Sequence, residues 1–155
     1  MYITGITRQQ GWYAFDMAAG RFCAPAGDIA YLAGRDQLER RSGVLCLPLP
    51  GGACPVYRLD EQLRAHSDMG KHQSVLVFSD ERGPCLGLAS DHVIKFRTAR
   101  QPTAVPECMG GGPVSGLIWQ QDAPVYMIRT EGLIRYLEQV IPHVLISDYP
   151  ERLAG

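Results

Sequence analysis

The chain has 155 residues, 46% of them apolar, with 15 Lys+Arg against 16 Asp+Glu for a formal net charge of −1. That is one domain, or two very small ones, and enough chain to bury a core without staples. The near-neutral balance argues against nucleic acid and anionic membrane surfaces as partners, because both are reached through concentrated positive charge. No apolar run approaches the ~20 residues that cross a bilayer, so no membrane insertion is expected. The segment Met1 to Gln10 lacks the charged and apolar regions of a secretory leader, and a cytoplasmic location is expected.

Short strand-like runs separated by turn signals follow in chain order. Trp12 to Asp16 passes through Ala18-Ala19-Gly20 into Arg21-Phe22-Cys23, a hairpin. Val44 to Leu49, the turn Pro50-Gly51-Gly52 and Cys54 to Leu59 make a second. A short helix is expected over Leu59 to His66. Ser74 to Ser79, the turn Asp80 to Pro84 and Cys85 to Ala89 make a third hairpin. Residues 97–114, with Gly110-Gly111-Gly112, read as a long loop. Ser115 to Trp119, Gln120-Gln121-Asp122 and Ala123 to Ile128 make a fourth hairpin. A clearer helix runs from Thr130, a candidate N-cap, to Ile141, with Leu133, Ile134, Leu137, Val140 and Ile141 on one stripe before Pro142 stops it. The remainder, 142–155, reads as a tail or a packed appendage.

The chain repeats itself weakly. Pro55-Val56-Tyr57 recurs as Pro124-Val125-Tyr126, and Ser42-Gly43 followed by aliphatics recurs as Ser115-Gly116. Phe15, Gly20, Ala26 and Asp28 match Phe78, Gly83, Ala89 and Asp91 at a constant shift of 63. The pattern implies two related β units, roughly 11–66 and 72–141, within a single domain 1–155. A unit of ~70 residues is marginal alone, so the two are expected to share an apolar seam and leave a groove between them.

No catalytic constellation emerges. The five cysteines are odd in number, form no C-x-x-C and offer no paired zinc ligands. Four lie in apolar runs and read as small buried hydrophobes, while Cys108 reads as exposed. The four histidines fit no metal-binding or catalytic spacing, and neighbouring Asp91 and His92 would face opposite sides of a strand. The Gly triplet lacks the Lys-Ser/Thr of a phosphate loop. A Cys108–His92 nucleophile pair stays as an alternative. Trp12, Tyr13, Phe15, Tyr57, Phe78 and Tyr126 read as core, and Tyr31 as core or groove rim. The expectation is a protein that is not an enzyme, with no cofactor and no metal.

The order of segments resembles the CheW-like domain family, the coupling adaptors of bacterial chemosensory arrays. The resemblance rests on Phe15-Asp16 and Arg21-Phe22 followed by Asp28-Ile29-Ala30-Tyr31-Leu32, then on Leu49-Pro50-Gly51-Gly52-Ala53-Cys54-Pro55-Val56-Tyr57-Arg58-Leu59. It continues in Gly87-Leu88-Ala89-Ser90-Asp91-His92-Val93 and in Ser115 through Ile128 with the Leu-rich terminal helix. The hydrophobic skeleton is kept, whereas the family's turn Asn and Arg fall at Pro48 and Pro50, and its Asp falls at Arg58. The resemblance implies a mainly β fold of two small five-stranded β-barrels packed side by side with short helices. It also implies an adaptor joining a chemoreceptor's cytoplasmic tip to a histidine kinase's regulatory domain, or an auxiliary adaptor serving pili or another output. Ile29, Tyr31 and Leu32 would line the receptor groove, with Asp91 and Val93 at its second wall, while Pro50, Gly51 and Arg58 would carry the divergent turn surface. The alternative is an interaction module for a non-chemosensory partner, or for itself through exposed strand edges.

Overall fold

The computed structural model describes residues 10–105 and 112–141. Cys108, Gly110, Gly111, His143 and the expected tail 142–155 lie outside them. All four predicted hairpins form. β1 (Gln10–Met17) pairs antiparallel with β2 (Gly20–Pro25), setting Phe15 opposite Phe22. A single 3-10 turn leads into β3 (Ile29–Gly34), and another into β4 (Glu39–Arg41). β4 pairs with β5 (Val44–Leu49), which turns at Pro50 and Gly51 into β6 (Gly52–Leu59). β7 (Ala65–His66) folds back on the end of β6. β8 (Ser74–Asp80) and β9 (Gly83–Thr98) form the third hairpin, and β10 (Thr103–Ala104) pairs with β11. β11 (Val114–Gln120) and β12 (Ala123–Ile128) form the fourth, and α1 (Thr130–Val140) follows.

The expected helix over Leu59 to His66 is absent. Asp60 accepts hydrogen bonds from the backbone N–H groups of Gln62 and Arg64, both at 2.9 Å, and Leu63 sits at φ +63°, so the segment is a tight turn that returns the chain as β7. A short polar side chain competing for local N–H groups is a known rival of helix formation. The loop expected over 97–114 is also shorter, because β9 continues to Thr98 and β10 intervenes. Thr130 is the first helical residue rather than the cap. Arg129 occupies the cap position, and the Asp28 carboxylate, from the far end of the chain, accepts the Thr130 N–H at 2.9 Å.

The strands form two lobes that share β9. One follows the path β10-β11-β12-β2-β1-β9, and the other follows β9-β6-β5-β4 with β3 and β8 on the opposite flank of β9. Neither path closes on itself among the described residues, so the lobes are open approximations to barrels. β9 makes the sharing possible by changing its environment midway. Cys85 to Ser90 is buried throughout, pairing with β8 and, in parallel, with β6. From Asp91 onward burial alternates and the strand pairs with β1 instead, the change falling where His92 adopts φ +50°. β12 meets β2 in a second parallel pairing, Tyr126 opposite Phe22.

The largest apolar cluster joins the lobes. Phe15, Phe22, Ile29, Leu59, Phe78, Leu88, Leu133 and Leu137 belong to it, drawn from both lobes and the helix. A smaller cluster around Leu47, Val56, Val75 and Val77 fills one lobe, and another around Trp12, Ile118 and Met127 fills the other. Phe15 and Phe78, matched in the repeat, meet edge-to-face with centroids 6.4 Å apart at the centre. Their matched glycines, Gly20 and Gly83, close the first and third hairpins at φ +135° and +109°, where a Cβ would be strained. Cys23, Cys46, Cys54 and Cys85 are buried as expected. Tyr126 is not core: it is 43% exposed on the outer face of β12.

Candidate functional site

β3 is the first candidate surface. It pairs with β8 alone, so its other edge carries no strand among the described residues. The register slips between Ile29 and Tyr31, a bulge that breaks the in–out alternation and sends Ala30, Tyr31 and Leu32 outward in succession. Tyr31 is 38% and Leu32 49% exposed, large apolar side chains on an unpaired edge. Ile29, expected beside them on the surface, turns inward and packs in the central cluster. Partial burial raises the Tyr31 hydroxyl above its ordinary pKa, with the nearby Cys54 sulfur a second cause.

Arg58 and Asp91 are bound up in a second region, the loop 67–73. Arg58 donates through Nε to Asp68 Oδ1 at 2.5 Å and through Nη2 to Oδ2 at 3.3 Å. That bond holds the Asp68 carboxyl below its usual range, against the opposing effect of burial. At the other end of the loop, Asp91 accepts the Gln73 N–H at 2.9 Å and lies 2.7 Å from His72 Nδ1. Burial works against ionisation of Asp91, but the Gln73 N–H and the His72 ring outweigh it and its pKa is lowered. Arg35 reaches across from the end of β3, donating to the Gly70 and His72 carbonyls at 2.7 and 3.0 Å. Both charged residues expected to meet a partner therefore hold this loop in place. Asp68, Arg35 and His72 carry no sequence signal, since their pairing depends on strands far apart in the chain.

The remaining expected residues are scattered. Pro50 and Gly51 are exposed in the β5–β6 turn, with Gly51 at φ +79°. They lie at the opposite end of β6 from Arg58, roughly 20 Å away at the rise of an extended strand. Val93 is half-buried against the central cluster. Asp91 lies two strands from β3, beyond its Gly34 end. Among them, Tyr31 and Leu32 are the adjacent large apolar side chains that stand exposed.

A groove between the lobes does exist, but none of these residues lines it. About 770 Å³ in volume, it is bounded by Phe22, Leu63, Val105, Val114, Leu117 and Tyr126. Tyr136 fixes one wall by donating its hydroxyl to the Leu63 carbonyl at 2.5 Å. Burial pushes the Cys23 thiol up to about 12, so it stays protonated at neutral pH and is a poor nucleophile. Asp91 and His92 take different partners: His92 Nδ1 lies 3.1 Å from Asp16, and Asp91 lies 2.7 Å from His72 Nδ1. Among the described residues no three His, Cys, Asp or Glu side chains converge as a metal site, and no helix is long and apolar enough to cross a membrane.

No family model matches the chain, and no curated protein matches its sequence. Solved structures do match. The crystal structure of scaffolding protein TtCheW from Thermoanaerobacter tengcongensis superposes with a TM-score of 0.59 over 84% of this chain and 90% of that one, at 13% identity. At that identity the likeness establishes the architecture: the chain has a CheW-like, mainly β fold.

Proposed function

We propose that the protein is a non-enzymatic adaptor of a bacterial chemosensory pathway, coupling a chemoreceptor's cytoplasmic tip to the regulatory domain of a histidine kinase in the cytoplasm. Its fold is that of a scaffolding protein, and the observation that carries the reading is the bulged edge of β3, which turns Tyr31 and Leu32 outward. A receptor tip is a helical hairpin, and apolar side chains protruding from a rigid strand suit helix recognition. Asp91 and Arg58 contribute by fixing the loop that Arg35 ties to the end of β3. The unpaired edge also favours a second reading, a module that adds a strand from another partner or from a second copy of itself.

Calorimetric titration of the full chain against a receptor-tip hairpin and a kinase regulatory domain tests the assignment. Leu32→Asp is expected to weaken binding by about tenfold or more, as for a desolvated apolar anchor, while leaving the melting temperature near that of the wild type. Unchanged affinity in a folded Leu32→Asp protein would remove β3 from the interface. Light scattering that shows dimers dissociated by the same substitution would favour the second reading.

A further inference from the structure

A groove of about 560 Å³ runs between the C-terminal half of β9 and the β11–β12 hairpin, on the lobe that does not contain β3. Ile94 and Trp119 stand 52% and 50% exposed on its walls. Phe96 lines it too and stacks on buried Trp12 at 6.4 Å between ring centroids, which ties the groove to the core. Arg21, Arg97 and Arg100 also line the groove, and none of its described lining residues is acidic. Arg21 is paired with Asp16 at 2.8 Å, and Arg100 donates to the Trp119 carbonyl at 2.7 Å, pinning the hairpin to the segment after β9. The Arg97 guanidinium has no partner among the described residues.

Exposed tryptophan and arginine around an apolar floor is the composition that distinguishes the centres of protein interfaces from ordinary surface. The guanidinium fork matches a carboxylate bidentately. The whole chain is slightly negative, so the positive charge is local. Local charge suits a short acidic segment better than the extended field of a duplex or a bilayer. We propose that this groove binds an acidic peptide segment of a partner protein, its carboxylates meeting Arg97 and Arg100 and an apolar side chain lying between Ile94 and Trp119. The surface is separate from β3, so its failure would leave the adaptor reading standing.

The chain carries only two tryptophans, and Trp12 is buried while Trp119 is 50% exposed, so a change in emission on binding reads the groove, and a Trp119→Phe variant isolates its share. The full-length protein is titrated at low salt with a synthetic peptide repeating Glu-Glu-Leu and with its Gln-Gln-Leu counterpart. Saturable change is expected with the acidic peptide, roughly tenfold weaker binding of the neutral one, and weakening as salt rises. Arg97→Glu is expected to lose about tenfold in affinity and Arg97→Lys only a few-fold, with Ile94→Ser probing the apolar wall and circular dichroism confirming that each variant is folded. Absence of saturation, equal binding of the two peptides, or an unaffected Arg97→Glu protein would overturn the proposal. Tighter binding of phosphatidylserine vesicles or of oligothymidylate than of the acidic peptide would overturn it as well.

Discussion

At the residue scale, charge is used mostly within the molecule. Three aspartates, Asp60, Asp68 and Asp91, are each held ionised by hydrogen bonds, and each has its pKa lowered by folding. A carboxyl whose pKa falls on folding contributes stability that is complete above its unfolded value of about 4 and is lost as pH drops through the lower folded value. The protein is therefore expected to lose melting temperature steeply below about pH 4. Asp91→Asn should lower the melting temperature at pH 7 by roughly 2–4 °C, one net hydrogen bond of about 1 kcal/mol in a chain of this size. It should also flatten the acid limb, and parallel curves for variant and wild type between pH 7 and pH 2 would show that ionisation of Asp91 does not contribute to stability. Asp91 was visible in the sequence as half of a repeated pair. Its partner Asp28 does equivalent work, accepting the Thr130 N–H where Asp91 accepts that of Gln73. The partners themselves were not visible, because Thr130 lies 102 residues from Asp28 and local periodicity carries no such contact.

At the element scale, hairpins were legible and departures from regularity were not. Alternation and turn residues located all four hairpins. The β3 bulge and the continuation of β9 each depend on a neighbour supplied by the fold, while the Asp60 turn is a local competition that apolar periodicity does not register. Asp60 prevails over the helix pattern of 59–66 because its carboxylate serves two local N–H groups at once. β9 outruns its predicted end because β1 waits alongside to pair with it. Close packing at its parallel crossing with β6 supplies a test. A Cβ placed on Gly87 would come within 2.4 Å of Val75 Cγ1 and 3.2 Å of Val56 Cγ2. Both valines are fully buried and stiff, so the strain has little outlet. Gly87→Ala is expected to destabilise by about 1–3 kcal/mol through overpacking, read from urea unfolding. A loss below a few tenths of a kcal/mol would mean that the crossing is looser than these distances indicate.

At the scale of the whole molecule, the two lobes cannot be treated as separate bodies. The central cluster takes side chains from both, and β9 runs through both. Unfolding is therefore expected to be one cooperative transition in which far-ultraviolet dichroism and tryptophan emission coincide. Two separable steps would show that the lobes are energetically independent. A two-lobed architecture was legible from the resemblance, but the lobes do not follow the stretches 11–66 and 72–141, since β1–β2 joins β12 and β8–β9 joins β6. Which surfaces stay outside was not legible, since the bulge that exposes Leu32 also buries Ile29.

The path of the chain has a further meaning. The β1–β2 hairpin pairs in parallel with β12, from the later part of the sequence, and the β8–β9 hairpin pairs in parallel with β6, from the earlier part. Each of these hairpins thus sits in a lobe whose other strands come from the opposite part of the chain. Between two molecules this would be a domain swap, whose population rises and falls with concentration. Here the connection running from β6 to β8 makes the trade intramolecular, at an effective concentration set by the linker and not by the cell. The exchange of hairpins is therefore fixed within one polypeptide, and the two-lobed architecture does not depend on protein concentration.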